Sequence, residues 1–280
     1  MISLILTLSC STSIALILKH NDTKKGDALI LLMGNYFVAA LISLIFVLTN
    51  SSNFYSFSTL IFGLILGAFF VLSFFAFAKA VGSAGTAMAT VSSRLSLIVP
   101  ISFSILFYGE HPATSQIAGF LFSLITIFFF YTSLKRHTLG NLKFIDYFYL
   151  LLVLFGIGLN DFAMKIFQQW KGNVEKPFFL FIIFGSAFVY TTAILLMRKK
   201  SVDKRTLLHG AILGVPNMFS SFFLIGALDA LPAIFVYPVV NIGIIIATTL
   251  LALMIWREKL NAYGILALGS GIIAIIFLSI

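Results

Sequence analysis

The sequence predicts an all-α polytopic membrane protein, and three observations predict it. Of its 280 residues, 60% are hydrophobic and only 10% are charged, against about 45–50% and about 25% in an ordinary globular domain. Mean hydropathy is +1.10. The apolar residues run in stretches of about 20, the length that crosses a hydrocarbon core about 30 Å thick as a helix. They do not alternate as the strands of a membrane barrel would. A soluble enzyme is excluded, because so few charges cannot cover a water-facing surface. Disorder and a disulfide scaffold are excluded by 6 Pro, 20 Gly without a period and one cysteine, Cys10.

Ten apolar stretches follow in order. The first, 2–18, starts with no basic segment and shows no small-residue cleavage site, so it is read as a retained helix. The second, 28–48, and the third, 57–81, are separated by Asn50-Ser51-Ser52-Asn53. Gly82-Ser83-Ala84-Gly85 leads into the fourth, 86–108, and Gly109 to Pro112 into the fifth, 113–134. A basic connection, 135–143, leads to the sixth, 144–168, which is followed by the seventh, 177–197, and the eighth, 206–228. Asp229-Ala230-Leu231-Pro232 turns the chain into the ninth, 233–256, and the tenth is 261–280. No connection is long enough for a soluble domain, so function is expected inside the membrane. The net charge of +9 is read as membrane topology and not as nucleic-acid binding.

Loops after odd-numbered spans hold Lys19, Lys24, Lys25, Lys135, Arg136, Lys143, Arg198, Lys199, Lys200, Lys204, Arg205, Arg257 and Lys259. Loops after even-numbered spans hold only Lys171 and Lys176. This bias puts the basic loops in the cytoplasm and both termini outside, in a multi-pass protein of the cytoplasmic membrane.

The two halves of the chain are similar. Gly109-Glu110-His111-Pro112 closes the fourth span and Arg257-Glu258-Lys259-Leu260 the ninth, with the two Glu residues 148 positions apart. At that offset Phe77-Ala78-Lys79-Ala80 aligns with Ile225-Gly226-Ala227-Leu228. Near it, Gly63-Leu64-Ile65-Leu66-Gly67 matches Gly210-Ala211-Ile212-Leu213-Gly214. The halves are 1–134 and 144–280, joined by 135–143. Each holds five spans, an odd number, so they are expected to insert as inverted-topology repeats, a transporter architecture.

The stretch from Phe74 to Phe130 resembles an EamA domain of the drug/metabolite transporter superfamily. The residues that carry the resemblance are Phe77 to Val81, Ser92 to Pro100, Leu106 to Glu110, and Gly119. The stretch from Gly226 to Ile280 resembles a second copy, through Tyr237-Pro238-Val239-Val240-Asn241 and Trp256 to Leu260. The resemblance implies a ten-helix carrier of amino acids, other metabolites or drugs and leaves its substrate open.

Ionisable side chains within spans are costly and mark functional candidates. Arg94 lies in the fourth span, six residues before Pro100 and about 12 Å deep at about 1.5 Å per residue. It is a candidate anion-binding cation, able to give a carboxylate two parallel hydrogen bonds. The plainer reading ties it to carbonyls or to Asp161. Asp161 and Lys165, four apart, share a helix face. They are expected to form an intrahelical ion pair, or else Asp161 is the coupling candidate of a proton- or substrate-linked switch. Lys79 is a further binding candidate; it also suits snorkelling to the interface. Lys79, Arg94 and Lys165 against Asp161 leave a positive excess, which favours anions or zwitterions.

Pro216, in the run Pro216-Asn217-Met218-Phe219-Ser220-Ser221, and Pro238 break helical hydrogen bonding beside polar groups. Asn217, Ser220, Ser221, Tyr237 and Asn241 are therefore candidate substrate hydrogen-bonders, or interhelical glue. Gly156-Ile157-Gly158 suits bending or close packing. Glu110 and Glu258, at span ends, are read as capping or pairing groups.

The expected function is a secondary transporter that moves a small polar metabolite, anionic or zwitterionic, by alternating access. A proton-coupled exporter of cationic drugs needs an acidic residue in the cavity, typically on the first span, which has none. A membrane enzyme is disfavoured: His20, His111, His137 and His209 lie in separate loops without metal-ligand spacing. No metal or other cofactor is expected. The partners expected are a small-molecule substrate and the bilayer, with no nucleic acid; a monomer is compatible with the sequence.

Overall fold

The computed structural model describes residues 1–23, 26–49, 55–135, 143–171, 174–199, 201–256 and 261–280. The protein is all-α; the described residues form ten helices, of which one is broken. They are α1 (Ile2–Thr23), α2 (Ala28–Thr49), α3 (Phe57–Ala84), α4 (Thr86–Leu95), α5 (Ile98–Tyr108), α6 (Thr114–Lys135), α7 (Phe144–Lys171), α8 (Lys176–Met197), α9 (Lys204–Ala230), α10 (Ala233–Trp256) and α11 (Ala262–Ser279). Helices α4 and α5 are the two parts of the broken fourth span. Among the described residues, nine helices are long and apolar enough to cross a membrane, and the apolar part of α1, Ile2–Leu18, is shorter. Large apolar side chains such as Leu106, Phe128 and Ile276 stay exposed. Without water in the bilayer, they form the surface that meets lipid, while the helices satisfy their own backbone groups. The loop Asn50 to Asn53, most of the connection 135–143, and Glu258 with its neighbours Arg257, Lys259 and Leu260 lie outside the described residues.

Polar residues set the helix starts. Asp27 Oδ1 accepts from the Leu29 amide at 2.9 Å, Asp203 Oδ2 from Thr206 at 2.9 Å, and Asn261 Oδ1 from Gly264 at 2.9 Å, each an N-terminal cap. Glu175, just before α8, caps across space instead: its carboxylate accepts from Ser56 Oγ at 2.6 Å and the Ser56 amide at 3.3 Å, beside Lys171 at 3.6 Å. Burial would raise this carboxyl, but the hydrogen bonds from Ser56 and Thr59 and the Lys171 charge outweigh it and hold Glu175 below its ordinary value. A depressed folded-state value contributes stability that is present above the unfolded value and lost as the pH falls through the folded one. The thermal midpoint of the purified protein should therefore drop on acidification below about pH 4.5 less steeply in Glu175→Gln than in wild type. Parallel wild-type and variant curves would remove Glu175 as a cause.

The chain forms two compact units, 1–72 with 166–230 and 73–165 with 231–280. These units are not the two expected sequence repeats, 1–134 and 144–280. Each unit takes helices from both halves, because the small-residue stripes of one half pack on helices of the other. In the first unit, α2 packs on α8 and α9, and α1 on α9. A Cβ on Gly210 would strike the Leu31 carbonyl, and one on Gly214 would lie 2.5 Å from the Asn35 carbonyl oxygen. On the other side, a Cβ on Gly63 would meet Ile182 at 2.8 Å and the Phe179 carbonyl oxygen at 3.5 Å, and one on Gly67 would strike Ser186 and the Ile183 carbonyl. The partners Leu31 and Phe179, and Asn35 and Ile183, stand 148 residues apart. So do the first residues of α2 and α8, and Tyr36 and Phe184, which stack at 6.4 Å.

In the second unit, α6 packs along α11. Ala76, Ala80 and Ala84 of α3, Ala89 of α4, and Leu150 and Val153 of α7 form a small-residue core. Gly156 and Gly158 are packing positions in this unit: added Cβ atoms would come within 2.7 Å of Ser73 Oγ and 2.7 Å of the Ser96 carbonyl oxygen.

Candidate functional site

One group of polar residues within the spans of the second unit is built out from the break between α4 and α5. Pro100 has no amide hydrogen, so the carbonyl of Ser96, four residues earlier, loses its α-helical donor. The chain answers with a tighter turn, in which the Val99 amide donates to that carbonyl at 3.0 Å and Ser96 Oγ covers the Ser93 carbonyl at 2.6 Å. Gly158 of α7 lies against the turn. The fourth span is thus broken at Ser96–Leu97 rather than merely kinked. The break puts Arg94 in the last turn of α4, where a helix C-terminus favours a cation.

Helix α10 carries the partners. Arg94 Nη1 donates to Asn241 Oδ1 at 3.3 Å, and Asn241 Nδ2 donates to the Tyr237 carbonyl at 3.0 Å. The Tyr237 hydroxyl donates to the Asp161 main-chain carbonyl at 2.6 Å. Arg94 and Asp161 also act on one another electrostatically. Four of the residues expected from sequence, Arg94, Asp161, Tyr237 and Asn241, therefore belong to one group.

Lys165 requires a correction. Instead of pairing with Asp161 along α7, it reaches Glu110 Oε1 at 3.1 Å, with Lys165 3% and Glu110 11% exposed. The cause is the start of α10. Pro232 precedes it and offers no capping side chain, so the amides of Ala233 and Ile234 need an acceptor. Glu110 supplies it, at 3.0 Å and 3.2 Å. The Gly109 backbone, at φ +61°, turns the chain at the end of α5 so that Glu110 follows directly. Glu110 thus both caps and pairs, and Lys165 is committed to it.

The other candidates lie elsewhere. Lys79 is exposed on α3, its ammonium 5.7 Å from the centre of the Phe75 ring one turn earlier. Asn217, Ser220 and Ser221 belong to the first unit, on α9, which runs unbroken through Pro216. Ser220 Oγ is 2.7 Å from Ser11 Oγ of α1, Ser221 is buried and Asn217 half-buried. Asn160, beside Asp161, donates from Nδ2 to Ser73 Oγ at 3.0 Å and ties α7 to α3. An Asn in an apolar run signals such a tie but does not name its partner. Among the described residues, no group of three or more His, Cys, Asp or Glu could hold a metal ion.

No family model matches the chain. An uncharacterized protein of Haemophilus influenzae is 30% identical over 223 residues, covering 77% of this chain and 74% of that protein. A protein of known crystal structure superposes with a TM-score of 0.83 over 99% of this chain and 98% of its own, at 13% identity. At that identity the likeness is one of fold.

Proposed function

We propose that this chain, which belongs to the same family as the uncharacterized Haemophilus influenzae protein, is a secondary transporter of a small polar metabolite, anionic or zwitterionic. The observation that carries the reading is the Arg94 group: a guanidinium within a membrane span, hydrogen-bonded to Asn241 and acting on Asp161. A guanidinium has five donors in a planar fork, and one hydrogen bond to Asn241 leaves most of that fork for a carboxylate. The recurrence of helix starts and packing partners at 148 residues supports two inverted copies, and inverted repeats support alternating access. The resemblance to an EamA domain points the same way. The excess of basic loop residues on one side supports insertion in the cytoplasmic membrane with those loops inside.

A thermal-shift screen of the purified protein against amino acids, organic acids, sugar phosphates and quaternary ammonium compounds tests this, because a ligand of the native state raises the midpoint. Anionic or zwitterionic hits are expected. Arg94→Gln should weaken an anionic hit by roughly ten- to a hundredfold, the scale of a hydrogen bond to a charged group, and leave a neutral one nearly unchanged. Cationic hits alone, or equal loss for anionic and neutral ligands, overturn the reading. Asp161 is the carboxylate that proton coupling would use. A pH dependence of binding that persists in Asp161→Asn would dismiss that role.

A further inference from the structure

Helix α10 is bound at three successive levels. Ala233 and Ile234 meet Glu110, Tyr237 meets α7 at Asp161, and Asn241 meets α4 at Arg94. These positions recur every four residues, so they lie along one face of the helix. Glu110 also holds α7, through Lys165, one turn from Asp161. Two cross-links therefore join α7 and α10 one turn apart: Lys165–Glu110–Ala233 near the end of α10, and Asp161–Tyr237 one turn further in. The first sets how α10 slides and rotates against α7. The second lies one turn further along α10, and the Arg94–Asn241 bond one turn beyond it.

We infer that Glu110 is a positioning residue: it fixes the register of α10 against α7 and so places Tyr237 and Asn241 relative to Asp161 and Arg94, without itself belonging to the binding group. A carboxylate is the side chain this task requires. Two amides and one ammonium converge on its two oxygens, and a glutamine, with one acceptor oxygen and no charge, serves only part of them. The role of the group rests on the transport reading, whereas the positioning is read without any substrate, so a failed ligand screen and a failed positioning test are separate results.

The test is a double-mutant cycle on the thermal midpoint of the purified full chain, with Glu110→Gln, Tyr237→Phe and both together. If Glu110 sets the register that Tyr237 needs, the double variant should lose clearly less than the sum of the two single losses. Asn261→Ala, which removes the cap of α11 and its bond to Ser133, serves as a control and should add to Glu110→Gln. Hydrogen exchange supplies the second readout. Glu110→Gln should speed amide exchange at least tenfold both at 233–238 of α10 and at 158–166 of α7. Lys165→Met, which leaves the α10 cap in place, should also speed 158–166. Additive losses, with faster exchange confined to 233–238, would reduce Glu110 to a helix cap and overturn the inference. If Glu110→Gln does not fold, Lys165→Met replaces it in the cycle, with the same two outcomes deciding.

Discussion

Gly210→Ala should destabilise the protein, while Gly82→Ala should stabilise it. Both glycines lie inside helices, where alanine is better by about 0.8–1 kcal/mol. At Gly82 nothing lies within 4 Å of an added Cβ, so that gain stands alone. At Gly210 the added Cβ would run into the Leu31 carbonyl and would lie 3.1 Å from the Leu31 Cα. These are backbone atoms and cannot turn aside as a side chain would, so α2 and α9 must separate. Overpacking typically costs about 1–3 kcal/mol and occasionally more, which exceeds the propensity gain. Gly67→Ala should cost less, because the nearest atom there is the rotatable Ser186 hydroxyl and the nearest backbone atom, the Ile183 carbonyl oxygen at 2.8 Å, need give way by far less than the Leu31 carbonyl. Unfolding in mixed detergent micles gives the order directly: a Gly210→Ala protein as stable as Gly82→Ala would refute the close packing of α2 on α9.

Glu110→Ala should be among the most damaging single substitutions. It leaves the Lys165 ammonium, 3% exposed, without a counter-charge, a change that typically costs about 3–5 kcal/mol. It also orphans the amides of Ala233 and Ile234, and loss of a cap adds about 1 kcal/mol. Glu110→Ala combined with Lys165→Met removes the stranded charge and should recover a large part of the loss but not the cap. Recovery is read as the unfolding midpoint of the double variant against that of Glu110→Ala; a double variant no better than the single one would mean that the ion pair contributes little.

The helices were legible because a span is a property of one stretch of chain. The ninth span and α10 share the same start, Ala233, since Pro232 stands directly before it. The first and sixth spans run further, to Thr23 and Lys171, because a helix continues into polar residues once it has been nucleated. Pro100 was visible as a disturbance. Its form is a break at Ser96–Leu97, against which Gly158 of α7 packs from far along the chain. Convergence was harder to read. Spacing put Asp161 and Lys165 on one face, but spacing carries no information about Glu110, which reaches Lys165 only because α10 begins without its own cap. Arg94, Tyr237 and Asn241 could be named as polar residues in apolar runs; that they meet is a consequence of the fold. The compact units were invisible for a related reason, since a glycine stripe shows that a close neighbour exists but not which helix it is.

The glycine stripes have a consequence for assembly. Gly63 and Gly67, from the amino-terminal half, press on α8 of the other half, while Gly210 and Gly214, from the carboxy-terminal half, press on α2 of the first. Each half thus presses a glycine surface on helices of the other. The halves are interlocked. A ribosome that has delivered only residues 1–134 has made a set of helices still waiting for its counterpart, so the closest packing in the first unit must form late, after α8 and α9 have entered the membrane.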